Sequence, residues 1–440
     1  MLFINKQKQS GLETLMFHET VLATVPEVDG PLVSPLQRAF ENVHLELKLG
    51  NSASVIRLVD SIITHAHLSR ASDIHIDPHQ EFILVRFRID GIMRVAHRIS
   101  KDIVSEVISR IKVLASLKTD EHQAPQDGRF RVGEGEEVID IRVSIVPTYH
   151  GENAVLRLLV NESAGFTLDT LGFSEENKKK ILQAIRRPYG MVLATGPTGS
   201  GKTTTLYTLL HMLNSAESSI VTIEDPIEYA IDGVEQIQVN PRTGLGFATG
   251  LRAILRQDPN IIMVGEIRDS ETAGVAVNTA LTGHLVLSTL HTNDSATTLP
   301  RLLDMKIESY LIASTVNVAI GQRLVRKICD QCKTEKSISE AEQKSLLSAI
   351  PNVDTIAGSI FYYGRGCEYC NGTGFSGRIG IYEVLVPNVA IREAVLARAS
   401  ARELHSLAVA SGMVTMIEDG LIKAQAGLTT VEEVLSTLYE

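Results

Sequence analysis

A glycine-rich segment followed by lysine and threonine is the clearest chemical motif of the 440-residue chain. It matches G-x-x-x-x-G-K-[ST], with a strand-like run before it and a helix-like run after it. The glycines let successive N–H groups converge on phosphate oxygens, and the helix adds its positive amino end. Lys202 is expected to bridge the β and γ phosphates of ATP, and the Thr203 hydroxyl is expected to hold Mg²⁺. The predicted ATP-binding residues are Gly196, Pro197, Thr198, Gly199, Ser200, Gly201, Lys202, Thr203 and Thr204.

Two glutamates follow apolar runs that have the character of buried parallel strands. Residues 261–264 lead to Glu266, and residues 219–223 lead to Glu224. Ligands of open α/β sheets bind beyond the carboxyl ends of the strands, so both side chains are expected near the phosphate loop. Glu266 is well placed to position a metal ion and a water, and Glu224 could orient or deprotonate that water. The alternative is that both are solvated acids at strand ends.

Two histidines flank a third apolar run, residues 285–290. His284 precedes this run and His291 follows it. A histidine in such a position is often a satisfied structural residue. A strand that ends near the nucleotide nevertheless makes both histidines candidates for sensing the γ phosphate.

The four cysteines of the chain form two Cys-x-x-Cys pairs, Cys329 with Cys332 and Cys367 with Cys370. In the cytosol, where thiols stay reduced, this pattern favours a metal over disulfides. Two such turns can close a tetrahedral S₄ site, which suits Zn²⁺. The 34 residues between the pairs exceed the spacing of a short zinc ribbon. Reduced thiols without a metal and a redox pair are the alternatives.

Composition and charge describe a soluble globular chain, with 44% hydrophobic and 21% charged residues. A formal net charge of −10 argues against nucleic acid as a partner, because phosphate backbones require concentrated Lys and Arg. No apolar run reaches the roughly 18 to 20 residues that cross a bilayer, and the start lacks the pattern of a signal peptide. The chain is therefore expected in the cytoplasm, with membrane contact only through partners.

The elements that must position these residues follow from hydrophobic periodicity. Residues 55–63 and 103–117 have helical spacing, whereas residues 82–88 and 138–146 have the character of strands. Further along the chain, strands alternate with helices, as in a doubly wound α/β sheet. The expected divisions are a short N-terminal arm (1–49), a small α+β domain (50–160), a linker (161–170), an ATPase core (171–325), a cysteine module (326–380) and a C-terminal helical region (381–440).

Several longer segments accompany the phosphate loop in a characteristic order. They are ASDIHI (71–76), PQDGR (125–129), IEDPIEY (223–229), LRAILRQDP (251–259), GEIRD (265–269), TGH (282–284) and HTN (291–293). This combination resembles the secretion ATPase superfamily, specifically the assembly ATPases of type II secretion and type IV pili. The match runs from about Ser54 to the C-terminus.

The resemblance implies a RecA-like P-loop motor domain in a ring of six, whose smaller domain closes over a neighbouring nucleotide site. It implies that Glu266 carries the metal, water and catalytic role, and that Arg142 and Arg157 reach the γ phosphate. For each arginine, a surface or structural role is the alternative. It also implies a tetracysteine zinc module, which the assembly ATPases have and the pilus retraction ATPases lack.

Motifs and resemblance together predict a hexameric motor that hydrolyses ATP and uses Mg²⁺ and Zn²⁺. Its expected partners are other copies of the chain, an inner-membrane platform protein and the associated assembly-complex proteins, which would hold it at the inner membrane. Two other hypotheses stay open, a nucleic-acid translocase and a non-hydrolysing nucleotide-dependent scaffold. Secretion, pilus and DNA-uptake machines share these segments. Family members often carry further N-terminal domains, so the mode of recruitment also stays open.

Overall fold

The computed structural model describes the part of the chain that carries these motifs, residues 34–49, 54–133, 138–160, 165–336 and 360–439. Its strands are β1 (Ala71–Pro78), β2 (Phe82–Ile89), β3 (Ile92–Ser100), β4 (Gln126–Val132), β5 (Ile139–Thr148), β6 (Gly151–Val160), β7 (Gly190–Thr195), β8 (Ile220–Glu224), β9 (Glu235–Gln238), β10 (Ile261–Val264), β11 (Leu285–Leu290), β12 (Val316–Ile328), β13 (Lys333–Lys336), β14 (Phe361–Gly364) and β15 (Phe375–Leu385).

The described part of the chain also contains helices in both domains. They are α1 (Pro35–Lys48), α2 (Val55–Leu68), α3 (Val104–Leu114), α4 (Leu168–Leu171), α5 (Glu175–Ile185), α6 (Lys202–Leu213), α7 (Phe247–Ile254), α8 (Ser270–Leu281), α9 (Thr298–Asp304), α10 (Ser309–Thr315), α11 (Val389–Leu396), α12 (Ala401–Ala410), α13 (Met416–Gln425) and α14 (Val431–Tyr439). None of the described helices is long and apolar enough to cross a bilayer.

The small domain is built on an antiparallel sheet with the strand order β3-β2-β1-β6-β5-β4. Strand β5 buries every second residue from Ile139 to Ile145, because successive side chains of a strand point to opposite faces. The buried residues pack with those of α2 and α3 in one apolar core. The other face of this sheet carries the less buried residues, among them Asp140, Arg142 and Ser144 of β5.

Helix α1 packs on the small domain in a region where the sequence shows no clear period. Ser34 caps it by accepting a hydrogen bond from the Gln37 N–H, and Val43 is fully buried in the core. Its apolar stripe, Ala39, Val43 and Leu47, spans only about two turns, which explains why the sequence pattern is weak. The rest of the expected arm, residues 1–33, lies outside the described residues.

The larger domain is a doubly wound sheet with the strand order β15-β12-β7-β11-β10-β8-β9. Neighbouring strands from β12 to β9 are parallel, and β15 runs antiparallel to β12. Strand β7 is buried throughout, and its residues alternate between two apolar cores, with Leu193 in one and Val192 in the other. The predicted fold class, a doubly wound α/β core with a smaller α+β domain, is confirmed.

The cysteine segment is inserted between two strands of the larger sheet. Strand β12 runs up to Ile328, directly before Cys329, and β15 rejoins the sheet at Phe375, shortly after Cys370. Between them, β13 and β14 pair as a small antiparallel sheet. Residues 337–359 lie outside the described part. The C-terminal helices pack back on the sheet, and Asp419 of α13 accepts a hydrogen bond from the Tyr382 N–H.

Candidate nucleotide site and cysteine centre

The phosphate loop joins the carboxyl end of β7 to the amino end of α6. Gly201 caps α6 with a φ of 85°, so the positive end of the helix dipole faces the loop. Gly196 also has a positive φ, and a Cβ there would lie 2.5 Å from the Gln322 carbonyl oxygen. Only glycine fits this position. The loop therefore has the backbone shape that phosphate binding requires.

Lys202 begins α6 and folds back over the loop. Its Nζ donates to the carbonyl oxygens of Gly196, at 2.8 Å, and Pro197, at 2.9 Å. Burial lowers the pKa of Lys202 to about 8, although the Glu266 carboxylate raises it and Arg323 lowers it further. This cation is poorly solvated, and a phosphate oxygen would stabilise it better than two carbonyls do.

Glu266 lies beyond the carboxyl end of β10, at the edge that carries the loop. It is buried, and its Oε2 lies 3.0 Å from His291 Nε2, while its Oε1 lies 2.6 Å from Arg268 Nη2. Its charge acts on Lys202 directly. The structure thus brings Lys202, Glu266 and His291 to one edge of the sheet, with Thr203 in the first turn of α6.

Glu224 ends β8 at the same edge, and donors surround its carboxylate. It accepts hydrogen bonds from the Tyr207 hydroxyl, from Thr222 Oγ1 at 2.6 Å and from Gln236 Nε2 at 3.1 Å. Burial and then the charge of Glu224 raise the pKa of Tyr207, so its phenol remains a donor. With three donors in place, Glu224 is arranged to orient its neighbours. A carboxylate can accept about four hydrogen bonds, so these three donors leave one acceptor position of Glu224 for a water.

His284 lies at the opposite end of β11 from His291. Its Nδ1 is 3.1 Å from the Thr279 carbonyl oxygen, and its own carbonyl accepts from the Gly190 N–H at the start of β7. The six residues of β11 separate the two histidines by about 20 Å. The structure therefore does not bring His284 to the phosphate loop of its own subunit.

Arg142 and Arg157 lie opposite each other on β5 and β6 of the small domain. Arg157 Nε is 3.0 Å from Asp73 Oδ1 on β1, the next strand of the sheet. Arg142 reaches the larger domain at the loop after β8, where Nη1 is 3.0 Å from Glu228 Oε2 and the Ile227 carbonyl accepts a second bond. Carboxylates thus hold both guanidinium groups in this arrangement.

The four cysteines come together in a compact cluster with the dimensions of a metal site. All four Sγ atoms lie within 4.8 Å of one another. Three of the separations are 3.7–3.8 Å. A tetrahedral ion with Zn–S bonds of 2.3 Å would hold its sulfurs about 3.8 Å apart, so the residues fit such an ion.

One of these cysteines, Cys370, has surroundings that favour its thiolate form. Burial alone would raise the pKa of the Cys370 thiol, but the N–H groups of Cys367 and Gly374 donate to its sulfur and bring it down to about 6. The centre touches the small domain, because Arg70 donates to the Tyr369 hydroxyl at 3.2 Å.

The side chains that support this site are not among the residues predicted from the sequence. Tyr207 and Gln236 hold Glu224, and Gln322 of β12 contacts the phosphate loop. A signal for Gln322 exists, because it is a polar residue that directly follows four apolar residues, 318–321, in β12. A buried amide needs hydrogen-bond partners, but nothing in the sequence says which ones.

Fold and site together define a P-loop nucleotide-binding protein. A model of the family described as "Type II/IV secretion system protein" matches residues 48–436. The type II secretion system protein E of Xanthomonas campestris pv. campestris is 49% identical over 390 residues, which make up 88% of this chain and 68% of that protein.

Two further proteins extend the comparison. The type IV pilus assembly ATPase PilB of Thermus thermophilus is 46% identical over 405 residues, covering 92% of this chain and 45% of that protein. The crystal structure of the pilus retraction motor PilT with bound ADP aligns with a TM-score of 0.59 and 28% identity, covering 86% of this chain and 95% of that one. The chain belongs to the type II/IV secretion system protein family, and the resemblance recognised in its sequence is confirmed.

Proposed function

We propose that the chain is an ATP-hydrolysing motor subunit that drives assembly of a type IV pilus or of a type II secretion pseudopilus. The single observation that carries the proposal is the buried Glu266, which His291 and Arg268 hold at the sheet edge that carries the phosphate loop. The lysine and the loop account only for phosphate binding, whereas a carboxylate held at the same edge can also act on a water. The names of the relatives, a secretion protein E and a pilus assembly ATPase, agree with this function.

In the proposed reaction, a water oxygen attacks the γ phosphorus of ATP, and the bond from that phosphorus to the β,γ-bridging oxygen breaks. The loop N–H groups and Lys202 would hold the β and γ phosphates. The Thr203 hydroxyl would hold Mg²⁺, which would supply positive charge to the phosphate oxygens. Glu266 orients the water and accepts its proton. His291, 3.0 Å from that carboxylate, keeps it in place.

Motor function requires a conformational step in addition to this chemistry. We place the chain in a homohexamer at the cytoplasmic side of the inner membrane, where the small domain of one subunit closes over the nucleotide of the next. Arg142 and Arg157 would then reach the γ phosphate from the neighbouring subunit, and closure passing around the ring would move a platform protein. Zn²⁺ on the four cysteines would support assembly rather than retraction, since the resemblance links that module to assembly ATPases.

Steady-state ATP hydrolysis by the purified chain tests this proposal, with and without the cytoplasmic domain of its platform protein. Lys202→Ala should abolish nucleotide binding, and Glu266→Gln should keep binding but lower kcat by about 10²- to 10⁴-fold. The platform domain should raise kcat of the unchanged chain. If Glu266→Gln hydrolyses ATP as fast as the unchanged chain, the catalytic role assigned to Glu266 is wrong. A hexamer that does not hydrolyse ATP would favour the scaffold hypothesis.

A further inference from the structure

Gln322 is a fully buried amide whose two ends hold two parts of the nucleotide site. Its Nε2 donates to the Ser200 carbonyl oxygen at 2.7 Å, within the phosphate loop. Its Oε1 accepts from Thr205 Oγ1 at 3.0 Å, in the first turns of α6. Each polar atom of the amide therefore has one protein partner, and both partners flank the residues that would surround the phosphates.

The bond to Ser200 fixes the direction of a specific N–H group. In a trans peptide unit, the carbonyl and the N–H point in opposite directions. The Ser200 carbonyl points to Gln322, so the Gly201 N–H of the same peptide points away from Gln322. Gly201 also caps α6, where N–H groups lack partners within the helix and bind anions.

Without this bond, the peptide between Ser200 and Gly201 would be weakly restrained. Gly201 has a φ of 85°, and glycine rotates between conformations at little cost. A rotated peptide would present the Ser200 carbonyl oxygen to the bound phosphate and repel it. A donor on the far side of this peptide therefore selects the orientation that binds phosphate.

We propose that Gln322 is a positioning residue for phosphate binding: its amide, held by Thr205, fixes the Ser200–Gly201 peptide so that the Gly201 N–H faces the nucleotide. This inference rests on the proposed ATPase function. It assigns Gln322 no contact with the substrate. Loss of Gln322 should weaken binding of the substrate and of the transition state equally. Such a loss raises KM and leaves kcat nearly unchanged.

The test compares two buried amides of one strand, Gln322 in the middle of β12 and Asn317 at its start. Gln322→Met keeps the size of the side chain and removes both hydrogen bonds. Asn317 is the matched control, because it is also a buried amide of β12, but it bonds to the Tyr189 carbonyl and to Arg187 at the start of the strand. Asn317→Leu should lower thermal stability about as much as Gln322→Met does, without touching the phosphate loop.

Affinity for a fluorescent ADP analogue and the KM for ATP are measured on the full-length chain. Gln322→Met should weaken binding of the ADP analogue and raise KM by about 5- to 100-fold, with kcat within about threefold of the unchanged chain. Asn317→Leu should leave affinity within about twofold. Thr205→Val, which keeps the shape and removes the donor to Gln322, should weaken binding by a smaller factor.

Each outcome bears on a definite claim. An affinity of Gln322→Met within twofold of the unchanged chain would overturn the inference, as would an equal loss in Asn317→Leu. If Gln322→Met does not fold, Thr205→Val decides the matter, and unchanged affinity in that variant counts against the inference. Failure of the unchanged chain to bind the ADP analogue would instead reject the proposed function.

Discussion

Arg142 of the small domain lies on Glu228 of the larger domain, with its Nη1 3.0 Å from the Glu228 Oε2. The Glu228 N–H is in turn 3.4 Å from the Tyr207 hydroxyl, which donates to Glu224. A continuous chain of hydrogen bonds thus connects the small domain to the edge of the sheet where the phosphate loop lies. The guanidinium that the resemblance assigns to a neighbouring γ phosphate is held by a carboxylate of its own chain.

Replacing Arg142 and Glu228 separately distinguishes a role of Arg142 at the γ phosphate from a role in the ion pair with Glu228. If Arg142 stabilises the transferring phosphoryl group, Arg142→Ala should lower kcat by about a thousandfold, as arginines in that position do in other enzymes. Glu228→Gln should change kcat by less than about fivefold, because a partly exposed ion pair contributes about 0–1 kcal/mol. Steady-state ATP hydrolysis by the purified full-length chain measures both effects.

Arg131→Ala is the control for a general effect on the small sheet, since Arg131 pairs with Asp140 on the same sheet and is mostly exposed. It should leave kcat unchanged. Equal losses in Arg142→Ala and Glu228→Gln would mean that Arg142 acts through Glu228 and not on the nucleotide.

Nucleotide affinity should fall as the pH rises above about 8. Burial holds the pKa of Lys202 near 8 without nucleotide, so above that pH the amine is largely neutral and must take up a proton to bind phosphate. The dissociation constant for ADP should then rise by up to about tenfold per pH unit. Titration of a fluorescent ADP analogue between pH 7 and 9.5 measures this slope.

Lys202→Arg supplies the comparison, because a guanidinium remains charged throughout this range. Its affinity is expected to be weaker but flat above pH 8. A slope shared by both proteins would assign the pH dependence to another group.

Local patterns predicted the elements that carry the phosphate site. The run 261–264 was predicted as a buried strand, and β10 has these bounds, because four apolar residues between turn signals have few alternatives. The expected neighbours of Glu266 followed from chain direction alone, since parallel strands bring their carboxyl ends to one edge. The same chain direction places His284 at the opposite edge, so its candidacy as a γ-phosphate sensor did not take this direction into account.

Contacts between residues far apart in the chain escaped prediction. Gln322 reaches Ser200 and Thr205 across more than 100 residues, and only the order β12-β7 in the sheet brings them together. Helix α1 was missed for a different reason, since most of its surface is exposed and its stripe is short. Sequence periodicity reports which face is buried, but not what that face meets.

The cysteine cluster should hold one Zn²⁺ per chain. The chain has only four cysteines, so a thiol reagent counts the state of the whole centre. With the ion bound, we expect no rapidly reacting thiol under native conditions, and four after a strong chelator removes the metal. Metal analysis of the untreated protein checks the stoichiometry. Four reactive thiols before chelation would show that the cysteines are simply reduced.

Loss of the metal should also loosen the contact between the two domains. Tyr369 lies between Cys367 and Cys370 and bonds to Arg70 of the small domain, so its position depends on the closed cluster. Cys367→Ser should therefore lower the midpoint of thermal unfolding and speed proteolysis between the domains. Arg70→Ala should speed the same cleavage while the zinc content stays at one per chain, which separates the contact from the metal.

Acid should destabilise the small domain through a pair of buried histidines. His65 Nδ1 and His97 Nε2 are 2.9 Å apart beneath α1, which adds the nearby ring of His44. Burial, and then His44, lowers the pKa of His65 to about 4, while burial, His65 and His44 lower the pKa of His97 to about 3. Both rings are therefore neutral in the folded protein at pH 7.

The sign of the effect follows from the ordinary histidine pKa of about 6.5 in the unfolded chain. Between pH 6.5 and 4 the unfolded state binds more protons than the folded state. The contribution of these two rings to the free energy of unfolding is therefore fully present above pH 6.5 and falls as the pH drops. Each ring contributes up to about 1.4 kcal/mol per pH unit. Calorimetry at pH 7.5 and 5.5 should show the unfolding transition of the small domain moving to lower temperature.

Replacing one ring tests whether this pair is responsible. His97→Phe removes one titrating group and should reduce the pH dependence of the transition by about half, because one of two protons is no longer taken up. The exposed His150, replaced by Gln, is the matched control and should leave that dependence unchanged. If His97→Phe and the unchanged chain lose the same stability between pH 7.5 and 5.5, the acid sensitivity arises elsewhere, and the histidines beneath α1 serve only to fill the core.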